Sequence, residues 1–297
     1  MKFCRFLAME GPRFGLVESR NGEDVIVAEL PSPQMQVSAA GVPEQIVLPD
    51  PDDMTGSDEV PGSEEKPRSG KKIDPPYPLE RAKLLIPFPI ISKILCVGRN
   101  YAAHVRELQN EMKGEPVIFS KPPSSLLASG GHIVRPAISQ RVDYEGELGF
   151  FIGRRCHKMK DTESARDYIL GYTIVNDVTT RDLQKLDGQW TRSKGFDTFC
   201  PVGPVVNTEL DPWSGVQVQT RVNGQLRQDG NTRDMMFDMD CILRYISQFC
   251  TLLPGDLIAT GTPEGVGPLL EGDVVEVTVE GIGTLRNPVV NESPEVG

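Results

Sequence analysis

Short runs in which apolar and polar residues alternate recur along most of the chain. Successive side chains of a β-strand point to opposite faces, so this period of two predicts strands with at least one buried face. Gly, Pro and Asn separate the runs and indicate turns. The predicted strands are KFCRFLA, RFGLVES and DVIVAEL near the N-terminus, and later KILCVGRN, PVIFSK, YEGELGFFIG, YTIVNDV, GPVV, VQVQTRVNG, DLIATGT and DVVEVTVEGIGTLRNPV.

Apolar residues at helical spacing are less frequent and predict only a few helices. The predicted helices are YAAHVRELQNEM after Asn100, which we expect to be its N-cap, a short one within DTESARDYILGY, and MDCILRYISQFC. Strands and helices do not alternate regularly, which argues against a doubly wound nucleotide-binding fold. The sequence therefore predicts a mainly β fold with a few helices, of the α+β class.

Residues 43–85 interrupt this pattern. They are rich in Pro, Gly, Ser and Asp, contain few aliphatic side chains, and change from acidic to basic along their length. Such a segment cannot bury enough apolar area to offset the entropy that it would lose on ordering. We therefore predict a small β-rich N-terminal domain at residues 1–42, a loop or linker at 43–85, and a catalytic domain at 86–297.

The net charge of the chain and the length of its apolar runs argue against two classes of partner, nucleic acid and membrane. The 297 residues include 42 acidic and 31 basic side chains, which give a net charge of −11. No cluster of Lys and Arg could follow a phosphate backbone, so we do not expect nucleic acid as a partner. No apolar run reaches the roughly 18–20 residues of a membrane helix, and the start lacks a signal-peptide pattern, so we expect a cytoplasmic protein without membrane contact.

The six cysteines are scattered, without a Cys-x-x-Cys pair and without neighbouring histidines that could complete a metal site. This spacing argues against a zinc site and against a disulfide framework, so we expect reduced thiols. Cys200 lies between apolar residues and Pro in FDTFCPVG. We expect it to pack in the core rather than to act as a nucleophile.

Three acidic side chains, Asp143, Glu145 and Glu147, alternate in the stretch RVDYEGELGFFIG. On a strand they would share one face, where like charges repel unless solvent or a cation covers them. Glu145 and Glu147 could both reach one hard divalent ion, and Asp177, after the apolar run YTIV, is the best third ligand. Such a set suits magnesium or manganese rather than zinc. A solvated strand edge explains the same spacing equally well.

His104 and Glu107 stand three positions apart on the predicted helix after Asn100 and therefore share a face. The carboxylate would raise the basicity of the imidazole, although ordinary surface pairs have the same spacing. Lys194 in SKGFDTFCPVG and the stretch ATGTPEGVG at 259–267 could line a pocket. The second stretch could offer backbone N–H groups and the hydroxyl of Thr262 to a carboxylate, but either segment could equally be a tight turn.

Several of these segments form an ordered series that resembles the fumarylacetoacetate hydrolase family, in particular its acylpyruvase and oxaloacetate decarboxylase-like branch. The resemblance covers roughly residues 88–293 and is far more specific than any single segment. The segments are GRNYAAHVRE, FSKPPSSL, DYEGELGFFIG, GYTIVNDVTTRDLQ, SKGFDTFCPVGP, RVNGQLRQ and LLPGDLIATGTPEGVG.

The resemblance implies a mixed β-roll, commonly a homodimer, which follows a small β-rich N-terminal domain in longer members. It implies that Glu145, Glu147 and Asp177 hold Mg²⁺ or Mn²⁺, and that His104 and Glu107 activate water on a lid helix. The residues implied to contact the substrate are Lys194, Gln184, Arg181, Thr262 and Gly261. Asp143 has no ligand role in the family, so we interpret it as a hydrogen-bond partner near the ligands.

The implied substrate is a small anionic 2-oxo acid, whose carboxylate and 2-oxo oxygen would chelate the metal. In a 2,4-dioxo acid, such as an acylpyruvate or a fumarylacetoacetate-like compound, hydroxide would attack the 4-carbonyl, and C–C cleavage would leave a metal-bound pyruvate enolate. Decarboxylation of oxaloacetate would give the same enolate. The alternatives are an isomerase or decarboxylase of 2-hydroxyhepta-2,4-diene-1,7-dioate-type intermediates in aromatic catabolism, and a non-catalytic binding protein that keeps the fold.

Overall fold

The structure is a computed structural model that describes residues 1–50, 71–90, 92–107 and 114–293. Most of the regular structure in these residues is β-strand, which confirms the mainly β prediction. The strands are β1 (Lys2–Ala8), β2 (Gly11–Arg20), β3 (Glu23–Leu30), β4 (Gln34–Val37), β5 (Pro43–Val47), β6 (Lys71–Pro78), β7 (Ile94–Gly98), β8 (Val117–Lys121), β9 (Leu126–Ala128), β10 (Ile133–Arg135), β11 (Val142–Tyr144), β12 (Gly146–Ile152), β13 (Ile169–Asn176), β14 (Thr179–Thr180), β15 (Cys200–Asn207), β16 (Gln217–Val222), β17 (Gln225–Asn231), β18 (Leu257–Ala259), β19 (Gly267–Pro268), β20 (Val274–Val279) and β21 (Gly283–Asn291).

The helices are short and lie between the strands. The α-helices are α1 (Ala102–Glu107), α2 (Arg181–Asp187), α3 (Thr191–Lys194) and α4 (Met239–Phe249). Single 3₁₀ turns occur at Leu79–Arg81, Pro123–Ser125, Ala165–Asp167, Pro212–Ser214 and Thr232–Asp234. In the described ranges, no helix combines the length and the apolar character that crossing a membrane would require.

Eleven strands form one large open sheet in the order β6-β3-β2-β1-β15-β13-β12-β18-β7-β8, with β9 also paired to β15. The sheet is mixed, because β9 and β15 run parallel, as do β7 and β18, among otherwise antiparallel neighbours. The N-terminal strands continue directly into it, since Phe3 of β1 pairs with Val206 of β15. The division of the chain at residues 42 and 85 stays a prediction.

Three smaller sheets complete the fold. The largest has the order β10-β21-β20-β16-β17, and β10 runs parallel to β21. A three-stranded sheet has the order β14-β11-β19, and β4 pairs with β5. The mixed sheets agree with the architecture that the resemblance implies.

Residues 43–85 contain two strands where the sequence predicted a loop. β5 pairs with β4, and β6 pairs with β3 at the edge of the large sheet. The side chains of β6 are exposed or half-buried. Backbone pairing, together with the half-buried Ile73 that packs against the core, therefore holds this strand, and backbone pairing leaves little trace in a hydrophobic pattern. Residues 51–70, also part of the predicted linker, lie outside the described residues.

Apolar side chains fill both faces of the large sheet around β12, whose seven residues are all buried. Leu148 and Phe150 belong to one apolar cluster and Phe151 to a second one on the opposite face. Full burial of one such side chain contributes about 1.5–3 kcal/mol. The central strands are therefore a firm support for the polar residues at their ends.

The predicted helices are confirmed in part. In α4, Asp238 caps the N-terminus by accepting a hydrogen bond from Cys241 N (2.9 Å), and Ile242 and Ile246 face the core. Within DTESARDYILGY, only the 3₁₀ turn at 165–167 forms before β13 begins. The helices α2 and α3 were not predicted, because seven and four residues are too few to show a clear helical period. The helix after Asn100 is described only as far as Glu107.

Candidate active site

A cavity of about 430 Å³ opens at the ends of β7, β12 and β13. Nine of the ten residues that the resemblance implies as metal ligands, dyad or substrate contacts line it; the tenth, Gly261, is in the loop after β18 and does not line it. The nine are His104, Glu107, Glu145, Glu147, Asp177, Arg181, Gln184, Lys194 and Thr262.

Glu145, Glu147 and Asp177, which we call the carboxylate triad, meet in this cavity. One oxygen from each lies within 4.8 Å of the others, and all three residues are buried. The pairing of β12 with β13 brings them together, because Gly146 lies opposite Asn176. The peptide N–H of Asp177 also donates to the carbonyl of Glu145 (2.8 Å). Their burial excludes the solvated strand edge that the spacing alone allowed.

The strand that carries Glu145 and Glu147 is not continuous. β11 ends at Tyr144 in the three-stranded sheet, and β12 begins at Gly146 in the large sheet. Glu145 therefore occupies the junction between two sheets, where its side chain can turn into the cavity. The sequence pattern did not show this break, because the alternation of side chains continues through it.

Buried cations offset part of the negative charge of the triad. The ammonium of Lys194 donates to Glu145 (2.7 Å) and to Asp177 (2.6 Å). Lys121 donates to the other oxygen of Asp177 (2.6 Å), and Arg181 donates to Glu145. Paired in this way, Glu145 and Asp177 are held in fixed orientations by groups that are themselves buried.

Glu145 and Glu147 differ in their electrostatic surroundings. Burial opposes ionisation of Glu145, but the charges of Lys194 and Arg181 outweigh burial and lower its pKa. For Glu147, burial and then the charges of Asp177 and Glu145 raise the pKa well above its usual value. Its carboxylate accepts a hydrogen bond from Gly261 N–H (2.8 Å). Glu147 is thus a buried acid that a proton or a cation would stabilise.

The triad could hold a metal ion. All of its ligand atoms are carboxylate oxygens, a donor set that suits hard divalent cations such as Mg²⁺ and Mn²⁺. The raised pKa of Glu147 fits the same conclusion, because a divalent ion would supply positive charge to a carboxylate that burial and its acidic neighbours destabilise.

His104 and Glu107 form the pair that the helical spacing predicted, which we call the dyad. Nδ1 of His104 lies 3.2 Å from a carboxylate oxygen of Glu107, and His104 is buried. Glu107 also accepts from the N–H of Gly265 through both oxygens (3.0 and 3.2 Å). The loop after β18 therefore fixes the carboxylate, and the carboxylate in turn fixes the imidazole ring.

Asn100 is not the N-cap of α1, contrary to the prediction. The carbonyl of Tyr101 accepts the first helical hydrogen bond, from Val105 N (3.0 Å). The side-chain amide of Asn100 instead donates to the carbonyls of Phe237 (2.9 Å) and Thr260 (2.7 Å). Asn100 thus joins the start of α1 to two distant loops. These contacts could not be predicted from the local sequence.

Gly261 and Thr262 have their polar groups engaged within the protein. The N–H of Gly261 is bonded to Glu147, and its φ of +100° with Asn100 beside it leaves no space for a Cβ. The hydroxyl of Thr262 donates to the carbonyl of Gly146 (2.9 Å) and accepts from Gln228 (2.8 Å). This loop therefore supports the triad, and its predicted contacts with substrate stay a prediction.

Arg181 connects the triad to the residue that the sequence left without a ligand role. Its Nε donates to Asp143 (2.9 Å), its Nη1 to Gln184 (3.1 Å), and its Nη2 to Glu145. Asp143 also accepts from the guanidinium of Arg141 (2.9 and 3.1 Å). Asp143 is thus a hydrogen-bond partner near the triad, as we interpreted it.

Three further residues that belong to the site were not predicted from the sequence. Lys121 is fully buried on Asp177, and Arg99 and Trp190 line the cavity. Lys121 ends the predicted strand PVIFSK, and Arg99 lies one position before the end of the predicted strand KILCVGRN. A charged residue at such a strand end was the signal that could have identified them.

The thiols have no part in this arrangement. All six cysteines are free, and burial raises the pKa of Cys200 to about 12. Cys200 begins β15 and packs in the core, as expected. A thiol with this pKa carries almost no nucleophilic thiolate near neutral pH.

Comparison with known proteins gives consistent matches. A sequence model of the family "Fumarylacetoacetate (FAA) hydrolase C-terminal" matches residues 93–290. Among solved structures, 5-carboxymethyl-2-hydroxymuconate delta-isomerase from Mycobacterium smegmatis is 40% identical, with a TM-score of 0.76, and the match covers 98% of this chain and 100% of that one.

Two further matches are enzymes named for other reactions. Fumarylpyruvate hydrolase from Pseudomonas aeruginosa, solved in complex with Mn²⁺ and pyruvate, is 32% identical with a TM-score of 0.65, over 69% of this chain and 91% of that one. The mitochondrial oxaloacetate decarboxylase of Dictyostelium discoideum is 44% identical over 198 residues, which cover 65% of this chain and 90% of that protein.

Proposed function

The chain belongs to the fumarylacetoacetate hydrolase family of enzymes, and on that premise we propose that it is a Mg²⁺- or Mn²⁺-dependent hydrolase that cleaves a C–C bond in a 2,4-dioxo acid. The observation that supports this reaction most strongly is the presence of the dyad and the triad in one cavity. A carboxylate cluster and a His–Glu pair are both common separately, but only together do they provide for water activation beside a metal site.

The metal would be held by Glu145, Glu147 and Asp177 and, when bound, would act as a Lewis acid toward the carboxylate and 2-oxo oxygen of the substrate. Lys194, already bonded to Glu145 and Asp177, places a fixed positive charge beside this end of the cavity. That charge would stabilise the negative charge that develops on the 2-oxo oxygen as the bond breaks.

The dyad would supply the nucleophile. Because Nδ1 of His104 faces the carboxylate of Glu107, the neutral ring carries its proton on Nδ1 and leaves Nε2 as the acceptor. Nε2 would take a proton from a water molecule, and the oxygen of that water would attack the 4-carbonyl. Cleavage between C3 and C4 then releases a carboxylic acid and the enolate of pyruvate, which the proton held on His104 can convert to pyruvate.

A second candidate function is a reaction at the same 2-oxo acid group that needs no water. Identity of 44% with an oxaloacetate decarboxylase favours decarboxylation, and a full-length match at 40% identity with a delta-isomerase favours proton transfer within an unsaturated dioate. Both reactions pass through an enolate or dienolate of the kind that hydrolysis would leave. Unlike hydrolysis, neither reaction needs the dyad to activate water.

The test is an assay of the purified protein with Mg²⁺ or Mn²⁺ against acylpyruvates, oxaloacetate and an unsaturated 2-hydroxy dioate. We expect release of pyruvate from an acylpyruvate, and no release after addition of a chelator. Turnover of oxaloacetate or of the dioate without any acylpyruvate hydrolysis would replace the proposal by the second candidate. Activity that is unchanged in the presence of the chelator would contradict the metal requirement.

A further inference from the structure

Two cationic side chains that line the cavity, Arg99 and Lys185, form no ion pair with any described residue. The other two cations in the lining, Arg181 and Lys194, are bonded to the triad. Arg99 is half-buried, and its Nε is buried without a hydrogen-bond partner among the described residues. Because this Nε has no exposed surface, a ligand in the cavity would meet the terminal nitrogens of the guanidinium, which pair with no described carboxylate.

The backbone holds Arg99 in an unusual conformation. Its φ of +62° lies in the left-handed region, which side chains other than glycine rarely adopt. The residues on either side are fixed, because Gly98 contacts the ring of Trp190, where a Cβ would lie 2.8 Å from a ring carbon, and Asn100 is bonded to Phe237 and Thr260. Strain that neighbouring contacts impose in this way is typical of functional sites.

Trp190 connects Arg99 to the triad. The guanidinium carbon of Arg99 lies 6.0 Å from the centre of the Trp190 ring, and Nζ of Lys194 lies 5.9 Å from it. Phe119 packs edge-on against this ring, with the two ring centres 5.1 Å apart. Arg99 and Lys194, the lysine that is bonded to the triad, therefore lie near the same aromatic ring. A substrate bound at the triad by its 2-oxo acid group can thus extend along Trp190 toward Arg99.

We propose that Arg99 determines substrate specificity by binding a second, distal carboxylate, so that the preferred substrate is a 2-oxo dicarboxylic acid. This inference rests on the proposed function, which places the 2-oxo acid group of the substrate at the triad. A guanidinium can bind a carboxylate through two parallel hydrogen bonds, which the two terminal nitrogens of Arg99 can donate. A local cation is also needed because the chain carries a net charge of −11, which opposes the approach of a dianion.

The experiment compares two substrates that differ only at the distal end. Fumarylpyruvate ends in a carboxylate, whereas crotonylpyruvate carries a methyl group there. We expect Arg99→Met to lower kcat/KM for fumarylpyruvate by ~10²-fold, mainly through KM, because the lost contact is remote from the reacting carbons. The value for crotonylpyruvate should change less than about threefold. Lys185→Met, which removes the exposed cation of the same cavity, is the matched control and should leave the preference intact.

Binding without turnover separates a failure of this inference from a failure of the proposed function. Calorimetry with Mg²⁺ present would compare 2-oxoglutarate with 2-oxopentanoate, which again differ by a carboxylate and a methyl group. The parent should bind 2-oxoglutarate more tightly, and Arg99→Met should abolish that preference even if the protein hydrolyses neither acylpyruvate. Arg99→Asn, whose side chain tolerates the left-handed backbone, gives a second variant if the first does not fold. Equal losses for both compounds of a pair, or loss of the preference in Lys185→Met instead, would overturn the assignment.

Discussion

The two sides of the cavity are held in place in different ways. The triad lies where the paired strands β12 and β13 end, and buried groups bond each of its members. The dyad lies on the six residues of α1 and is tied to the opposite loop through the bonds between Glu107 and Gly265. The sheet therefore fixes the triad, whereas the position of the dyad depends on a helix and a loop.

This difference indicates how one fold can serve several reactions. Under the proposed function, the residues that would recognise the 2-oxo acid group lie at the ends of the sheet strands, and the residues that would activate water lie on a separate element. Under that proposal, changes to α1 or to the loop after β18 would remove hydrolysis and leave chelation intact. The reverse is not possible, because a dyad without the triad has no bound substrate to act on. Five substitutions, with control variants, test this comparison.

The largest effect is expected for Glu147→Gln. The amide keeps the shape of the side chain and can still accept a hydrogen bond from Gly261 N–H. It removes the negative charge that would bind a divalent ion. Activity should fall by ~10³-fold or more, because loss of metal catalysis is expected to raise the activation free energy by several kcal/mol. Calorimetric titration with Mg²⁺ should show affinity reduced on the order of 10²-fold. The Tm without metal should not fall, because burial already raises the pKa of this acid and favours its neutral form.

The control for this change is Glu264→Gln, an exposed acid in the nearby loop, which should titrate and react like the parent. A Glu147→Gln variant with parental metal affinity would show that Glu147 is not a ligand.

A second change tests the triad's support. Lys121→Met leaves one oxygen of Asp177 buried without its cation, which should cost about 3–5 kcal/mol of unfolding free energy. Saturating Mg²⁺ should recover part of this loss, because the ion supplies compensating positive charge and stabilises the folded state that binds it. Denaturant unfolding with and without Mg²⁺ measures both effects.

Lys185→Met is the control, since an exposed lysine should contribute less than about 0.5 kcal/mol. If Lys121→Met unfolded like the parent, the buried ion pair would not be what supports the triad.

The third change separates the two sides of the cavity. Glu107→Ala removes the group that orients His104, so hydrolysis of an acylpyruvate should fall by ~10²-fold or more. Decarboxylation of oxaloacetate needs chelation and charge stabilisation but no hydroxide, so it should fall clearly less. His104→Ala should show the same pattern with metal binding intact. Rate assays on both substrates at saturating Mg²⁺ measure the ratio, with Arg106→Ala, an exposed neighbour on α1, as the control.

Equal fractional losses of the two activities in Glu107→Ala would contradict the separation. They would indicate that closure of α1 is needed for every reaction at this site.

Those parts of the site that depend on a local period could be predicted from the sequence. Alternation in RVDYEGELG and the end of an apolar strand brought Glu145, Glu147 and Asp177 together as ligand candidates, and their proximity is confirmed. Spacing of three on a helix identified His104 with Glu107, whose contact is also confirmed. Their roles in binding and catalysis stay predictions.

The parts that depend on long-range pairing could not be predicted. Lys121 reaches Asp177 across 56 positions in the chain, and Asn100 reaches Phe237 across 137. No local period or propensity records such contacts, since tertiary structure decides which strand ends become neighbours. For the same reason the hydrogen bond that Gly261 N–H donates to Glu147 could not be predicted.

The smallest effect is expected for Tyr144→Phe, which probes the loop that anchors the dyad. The hydroxyl of Tyr144 donates to the carbonyl of Gly265 (2.9 Å), and the N–H of the same residue holds Glu107. Loss of one neutral hydrogen bond should lower the unfolding free energy by about 1 kcal/mol. If the loop positions the dyad, hydrolysis should fall by roughly threefold to tenfold while decarboxylation stays unchanged, because only hydrolysis needs Glu107 to orient His104 as the base. A purely structural role would lower both rates together or neither, and that outcome would mean that the position of the dyad does not depend on this loop.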